Sequence, residues 1–104
     1  MDIFTALAEP TRRSILEMLA KKGELSATEI SDQFDSSSPA ISQHLKILRE
    51  AKLIRMEKRS RQRIYEMNPD AINQFEEWAR HTRELWGKRF DLLENVLQAK
   101  NKLK

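Results

Sequence analysis

The sequence predicts a mainly α-helical protein that carries one β-hairpin, in the order α-α-α-α-β-β-α. The chain has only 2 Gly and 3 Pro against 34% charged residues, a composition that favours long solvated helices with few turns. The apolar pattern changes from helical to alternating only between residues 53 and 67, which predicts two strands. At 104 residues, the chain is expected to form a single domain over residues 1–104.

Three helices are predicted before residue 36. A short opening helix carries Phe4, and a second begins at Pro10, because proline is accepted in the first turn of a helix. Gly23 is expected to end that second helix. The stretch "SATE" then forms a capping box, in which Ser26 and Glu29 each bind the other's backbone N–H, and starts a third short helix.

The stretch "DSSSPAISQHLKIL" predicts a fourth helix over residues 39–51, with Ser38 as its N-cap and Pro39 at its first position. Three apolar side chains at three- and four-residue steps form its buried stripe: Ile41, Leu45 and Leu48. The polar side chains fall beside or opposite that stripe. Two short helices joined by a tight polar turn predict a helix-turn-helix motif.

The stretch "LIRMEKRSRQRIYEM" alternates apolar and charged residues, as two half-buried strands do. A basic tip, Lys58 to Arg61, joins the two strands. Residues 51–67 carry six basic and two acidic side chains, a net charge of +4, whereas the rest of the chain has thirteen basic and fourteen acidic, a net of −1. This concentration of positive charge points to a polyanion as partner.

A last helix is predicted from the "NP" at residues 68 and 69 to about residue 98. At 1.5 Å per residue it would be roughly 45 Å long, so its apolar stripe is longer than one small domain can cover. Its first half could pack on the core, whereas its second half favours a homodimer interface with the partner's last and opening helices. The residues predicted at that interface are Phe4, Trp78, Leu85, Trp86, Leu93 and Val96.

Several functions are excluded on composition and pattern. The chain has no cysteine, which rules out disulfides, thiolate metal sites and a Cys nucleophile, and agrees with a cytoplasmic location. No apolar run of about 18 residues predicts a membrane span, and Asp2 near the start does not fit a secretory signal. Without a nucleophile, base and orienting group or a Gly-rich phosphate loop, the protein is not expected to be an enzyme or to bind a cofactor.

Over nearly its whole length the chain resembles the ArsR/SmtB family of prokaryotic winged-helix transcriptional regulators. "LAEPTRRSILEML" resembles the family's opening segment, "ELSATEISDQFDSSSPAISQHLKILREAKLI" its helix-turn-helix, and "RMEKRSRQRIYEMNP" its wing. The resemblance implies a winged helix-turn-helix fold and a role in transcription regulation. The sequence departs from the family at Lys52 and near Ser60, where glycine is frequent.

A DNA duplex suits the fourth helix, because the major groove admits one helix and rewards short polar side chains near its N-terminus. Phosphate contacts are predicted for Ser37 and Ser38, base-edge contacts for Ser42, Gln43 and His44, and backbone or guanine contacts for Lys46 and Arg49. The wing is predicted to contact backbone or minor groove through Lys58, Arg59, Arg61 and Arg63. Taken alone, the polar residues of the helix could be an ordinary solvent-exposed face. The basic residues of the hairpin could likewise protect the edge of the sheet against aggregation.

The resemblance also suggests the hypothesis that the protein senses a metal, because members of the family bind metals through Cys, His, Asp and Glu. The ligand sets are absent from this sequence: His81 has Glu77 and Glu84 at helical spacing but no second histidine. No metal site is therefore predicted, and His81 is expected at the surface or an interface.

The function predicted is a cytoplasmic, homodimeric, sequence-specific DNA-binding regulator that represses transcription at an inverted-repeat operator. One alternative is a winged-helix protein-interaction module that uses the long apolar helix to bind another protein. A second is a repressor gated by an organic effector held at the dimer interface.

Overall fold

A computed structural model describes residues 2–102. Its elements are α1 Ile3–Leu7, α2 Pro10–Lys22, β1 Glu24–Ser26, α3 Ala27–Ser31, α4 Ser38–Glu50, β2 Ile54–Arg59, β3 Gln62–Met67 and α5 Pro69–Lys102. The chain divides into two compact units, the first ending at Ile72 and the second beginning at Asn73. The mainly helical class with a hairpin is confirmed, and one further strand, β1, joins the hairpin.

The predicted starts of α2 and α3 are confirmed. Pro10 occupies the first turn of α2, where the Glu9 side chain caps the helix. In α3 the capping box is complete: Ser26 N–H donates to Glu29 Oε1 at 3.0 Å, and Glu29 N–H donates to Ser26 Oγ at 3.1 Å. The bond from the Ser26 N–H keeps the pKa of Glu29 below its ordinary value. Gly23 ends α2 with a φ of 89°, a conformation that glycine adopts without steric cost.

Helix α4 starts one residue earlier than predicted. The N-cap is Ser37, whose Oγ accepts from the backbone N–H of Ala40 at 3.3 Å, and Ser38 is already helical. Pro39 therefore occupies the second helical position, which it tolerates because the first four N–H groups of a helix have no partner within it. Neighbouring serines can all cap a helix, so the sequence could not choose between them.

The C-terminal end of α4 is closed by a Schellman motif. Lys52 N–H donates to Arg49 O at 2.9 Å, and Leu53 N–H donates to Leu48 O at 3.0 Å. This motif places Lys52 at a φ of 61°, and the wing tip places Ser60 at 56°. The family that the sequence resembles often has glycine at or near these positions. Lys52 and Ser60 keep the backbone conformation that glycine favours, and because both have a Cβ atom this costs roughly 1–2 kcal/mol of conformational energy per residue.

The sheet has three antiparallel strands in the order β1-β3-β2. Strands β2 and β3 pair from Ile54 opposite Met67 to Arg59 opposite Gln62, which confirms the hairpin. Strand β1 was not predicted: it has three residues, too few to show alternation, and its Leu25 pairs with Tyr65 on β3.

The core of the first unit lies between α2, α3, α4 and the sheet. The predicted stripe of α4 is buried, with Ile41, Leu45 and Leu48 at most 2% exposed. These side chains pack in one cluster with Ile15 and Leu19 of α2. The buried stripe fixes the roll of α4 about its axis, and thereby decides which of its side chains face outward.

Helix α5 has 34 residues and extends beyond the predicted end at residue 98. From residue 85 onward, seven large apolar side chains of α5 are more than half exposed: Leu85, Trp86, Phe90, Leu92, Leu93, Val96 and Leu97. Within residues 2–102, no helix has the length and apolar character needed to cross a membrane.

Candidate nucleic-acid interface

The outward side of α4 carries the polar residues singled out in the sequence. Those that are exposed are Ser37, Ser38, Ser42, Gln43, Lys46 and Arg49. The turn before α4 is tied to α3, because Ser31 Oγ and Ser38 Oγ lie 3.2 Å apart. The structure therefore brings six of the seven predicted contact residues of this segment to the solvent-exposed part of one helix and its cap.

His44 is the exception among these residues. Its side chain is 22% exposed, and Nδ1 lies 3.3 Å from a terminal nitrogen of Arg12 in α2. The same Nδ1 lies 3.8 Å from Oε2 of Glu9. One ring nitrogen of His44 therefore faces the protein.

The register of the wing separates its charges onto two faces, because side chains alternate along a strand. On one face Arg59 donates to both carboxylate oxygens of Glu24 on β1, at 2.6 and 3.0 Å, and to Glu57 at 3.2 Å. Arg55 pairs with Glu66 at 3.2 Å on the same face. Positive charge on this face is therefore balanced by carboxylates.

The ion pairs of Arg59 also shift the pKa values of the groups involved. The hydrogen bond from the Arg59 guanidinium holds the pKa of Glu24 below its ordinary value. The carboxylates of Glu24 and Glu57 in turn raise the pKa of Arg59 further above its ordinary range. Arg59 was predicted as a DNA contact, and the structure places its guanidinium in a bidentate pair that joins β1 to β2.

The other face of the wing is basic. Lys58 and Arg63 are directly opposite each other, two residues beyond the pair Met56 and Tyr65, and Arg61 follows in the tip. In the part of the chain that the structure describes, these three cations form no ion pair. Like charges directly opposite each other in a sheet are destabilising, so this arrangement has a stability cost that an anion between them would remove.

Among residues 2–102, no group of three or more His, Asp and Glu side chains is placed to hold a metal ion. His81 is exposed on α5, in agreement with its expected position at a surface.

Two partners of the site were missed by sequence reasoning. Arg12 lies 32 positions before His44, and Glu24 lies 35 positions before Arg59. Neither pair is joined by periodicity or by a local motif. The only signal for Glu24 was its position in a segment that proved to be β1.

The helix-turn-helix of α3 and α4 beside a basic hairpin defines the class of this protein: it is a winged helix-turn-helix DNA-binding transcriptional regulator. A family model described as a helix-turn-helix domain matches residues 7–57. The transcriptional repressor SdpR of Bacillus subtilis is 35% identical over 77 residues, which cover 74% of this chain and 84% of SdpR. The arsenical resistance operon repressor of Escherichia coli is 35% identical over 69 residues, covering 66% of this chain and 59% of that repressor.

A solved structure of an ArsR family transcriptional regulator is also similar. It superposes with a TM-score of 0.75 at 33% identity, over 82% of this chain and 87% of that one. The chain belongs to the ArsR-type winged helix-turn-helix transcriptional regulators. This family consists of regulators rather than enzymes, which confirms the predicted class.

Proposed function

We propose that the protein represses transcription in the cytoplasm by binding, as a homodimer, an inverted-repeat operator that overlaps a promoter. The observation that carries this proposal is the exposed polar side of α4, held at a fixed roll by a buried stripe, together with the unpaired basic face of the wing. A helix in the major groove reads base edges, while nearby cations bind phosphates.

In this proposal α4 is the recognition helix. Ser42 and Gln43 lie in its second turn and contact base edges. Ser37 and Ser38 contact a phosphate at the N-terminal end of the helix, where unpaired N–H groups and the helix dipole favour an anion. Lys46 and Arg49 contribute further backbone or guanine contacts from the following turns.

The wing supplies affinity rather than sequence choice. We assign its phosphate contacts to Lys58, Arg61 and Arg63, the three cations without an intramolecular carboxylate partner. Arg59 is assigned mainly to holding the wing against β1, because its guanidinium already donates to both oxygens of Glu24. A phosphate near the opposed pair of Lys58 and Arg63 would neutralise their mutual repulsion.

We propose that a second copy of the chain covers the apolar side chains of α5. Leu85, Trp86, Leu93 and Val96 are between 51% and 55% exposed, and a long helix gains most of its stability by packing such a face. Phe4 of α1 and Trp78 belong to the same proposed interface. Two-fold symmetry then places two recognition helices about 34 Å apart, one turn of duplex, which requires an inverted repeat.

The proposed regulator does not sense a metal through thiolates. Some relatives are named as arsenical resistance repressors, but this chain has no cysteine, and thiolates are the ligands that select soft metal ions. An organic effector at the dimer interface remains the alternative route of regulation.

The experiment is fluorescence anisotropy with an operator duplex and a scrambled duplex. Gln43→Ala is expected to lower the ratio of specific to nonspecific affinity by about 5- to 150-fold per half-site, the range of one good base contact. Gln74→Ala removes an exposed glutamine of α5 and serves as the matched control. Equal losses on both duplexes for Gln43→Ala would refute base reading by α4, and binding of neither duplex would favour the protein-interaction alternative.

A further inference from the structure

Arg12 joins three helices through one guanidinium. Its Nε donates to the backbone carbonyl of Ala6 at 2.6 Å, and one terminal nitrogen donates to that of Thr5 at 3.4 Å. These carbonyls lie in the C-terminal part of α1, where Thr5 O also accepts from the backbone N–H of Ala8, the C-cap, at 3.2 Å. The other terminal nitrogen lies 3.3 Å from Nδ1 of His44 on the recognition helix. Arg12 therefore connects α1 and α2 directly to α4.

Arg12 is itself held in place from α2. Its backbone N–H donates to Oε2 of Glu9, the N-cap of that helix, at 3.0 Å. Burial raises the pKa of Glu9, but this hydrogen bond contributes to a net lowering below the ordinary value, so Glu9 is a carboxylate at neutral pH. The N-cap thus fixes the backbone from which the Arg12 side chain extends.

The contact with Arg12 determines which nitrogen of His44 carries the proton. A guanidinium has only N–H donors and does not lose its charge in proteins. In this hydrogen bond of 3.3 Å Nδ1 is the acceptor, so the neutral ring carries its proton on Nε2, whereas Oε2 of Glu9, at 3.8 Å, is beyond hydrogen-bond distance of Nδ1. A ring in this form presents Nε2–H as a donor, which is the group that a phosphate oxygen or a base acceptor needs.

We propose that Arg12 is a positioning residue for DNA binding: it ties the end of α1 to the recognition helix and holds His44 with its proton on Nε2, so that this N–H donates to the bound duplex. The proposal rests on the proposed function for its last step only. The contact between Arg12 and His44 is a property of the free protein.

The first test is ring nitrogen NMR of the full chain without DNA, at about pH 8, where histidines are mostly neutral. The chain has two histidines, and the exposed His81 provides an internal reference. His44 is expected to show one neutral form, protonated on Nε2, whereas His81 shows the mixture of an unrestrained ring. Arg12→Met is expected to move the His44 signals toward that mixture.

Arg13→Met is the matched control for this substitution. Arg13 also donates to a carbonyl of α1, that of Leu7 at 2.6 Å, but no contact joins it to His44 within the described residues. Arg13→Met should therefore leave the His44 ring unchanged even if it loosens α1. An identical response of the ring to both variants, or a proton on Nδ1 in the unaltered protein, would overturn the proposal.

The second test separates the two ring nitrogens by substitution. The amide of Asn can replace Nδ1 as acceptor from Arg12, whereas the amide of Gln reaches further and can replace the Nε2 donor. His44→Gln is expected to keep most of the operator affinity, and His44→Asn to lose at least about tenfold per protomer, as expected for a lost hydrogen bond to a charged group. Equal affinities of the two variants, with unfolding temperatures within error of each other, would overturn the DNA contact of Nε2.

The two tests distinguish failure of this proposal from failure of the proposed function. If the unaltered protein binds no duplex specifically, the proposed function is refuted and the DNA contact of His44 with it. The NMR comparison of Arg12→Met with Arg13→Met reports the positioning contact in either case.

Discussion

The charge separation on the wing predicts opposite behaviour for two neighbouring arginines. Arg59→Ala and Arg61→Ala each remove one positive charge from the same hairpin, so both change the net charge of the protein equally. Arg61 has no carboxylate partner in the described chain, whereas Arg59 is bound to Glu24 and Glu57. We expect Arg61→Ala to remove a phosphate contact and Arg59→Ala to remove almost none.

The magnitude follows from counterion release. Each phosphate contact contributes about 0.9 to the slope of log affinity against log salt, so a homodimer that loses Arg61 twice should have a slope shallower by about 1.8. When salt rises from 50 to 200 mM, both proteins lose affinity, but the factor by which the variant's affinity falls should be roughly twelve times smaller than the factor for the unaltered protein. Arg61→Ala should also weaken operator and scrambled duplexes by similar factors, because phosphate contacts are not sequence-specific.

The assay is a salt series of fluorescence anisotropy on both duplexes with the three proteins, with thermal unfolding as a check of the fold. Equal flattening by the two substitutions would refute the assignment of Arg59 to holding the wing. An unchanged slope for Arg61→Ala would refute the contact of the wing tip with the backbone. A change of about 0.9 instead of 1.8 would indicate that one protomer, not two, contacts the duplex through its wing.

Three further predictions follow from the fold. Lys58→Thr should raise the free energy of unfolding by about 0.2–1 kcal/mol, because it removes a like-charge cross-strand pair, while weakening duplex binding; a destabilised protein in urea unfolding would contradict this. Lys52→Gly should stabilise the fold by about 1 kcal/mol by relieving the positive φ, whereas the same change at exposed Lys46, in the interior of α4, should destabilise it by a similar amount. The hydrogen bond from Arg59 lowers the pKa of Glu24, so their ion pair stabilises the wing at pH values above 4.5, the ordinary pKa of this side chain. This stabilisation is lost as the pH falls through the lower pKa of Glu24 in the folded protein. Glu24→Gln should remove this acid sensitivity from the wing amide signals in NMR.

The sequence was sufficient for the elements whose signals are local. The capping box of α3, the start of α2 at Pro10 and the buried stripe of α4 each depend on local patterns in which successive residues are at most four positions apart. The alternation of the hairpin likewise gave the correct faces, with Tyr65 inside and Glu66 outside. These features needed no knowledge of the tertiary structure.

The remaining features depend on contacts between distant segments. Strand β1 exists because Leu25 pairs with Tyr65, 40 positions away, and its own three residues carry no pattern. The partners of Arg59 and His44 are set by the same kind of long-range packing. Composition predicted a basic wing, but only the register showed that its positive charge is balanced on one face and unbalanced on the other.

The proposed function requires α4 and the wing together to recognise one DNA sequence. The most direct measurement is selection of short genomic duplexes by the purified protein, followed by binding stoichiometry on the enriched sequences. We expect enrichment of an inverted repeat with half-sites one helical turn apart, bound by two protomers, with specific binding that persists at salt concentrations where scrambled DNA is released. Enrichment of no sequence, with binding to all duplexes lost together as salt rises, would contradict it.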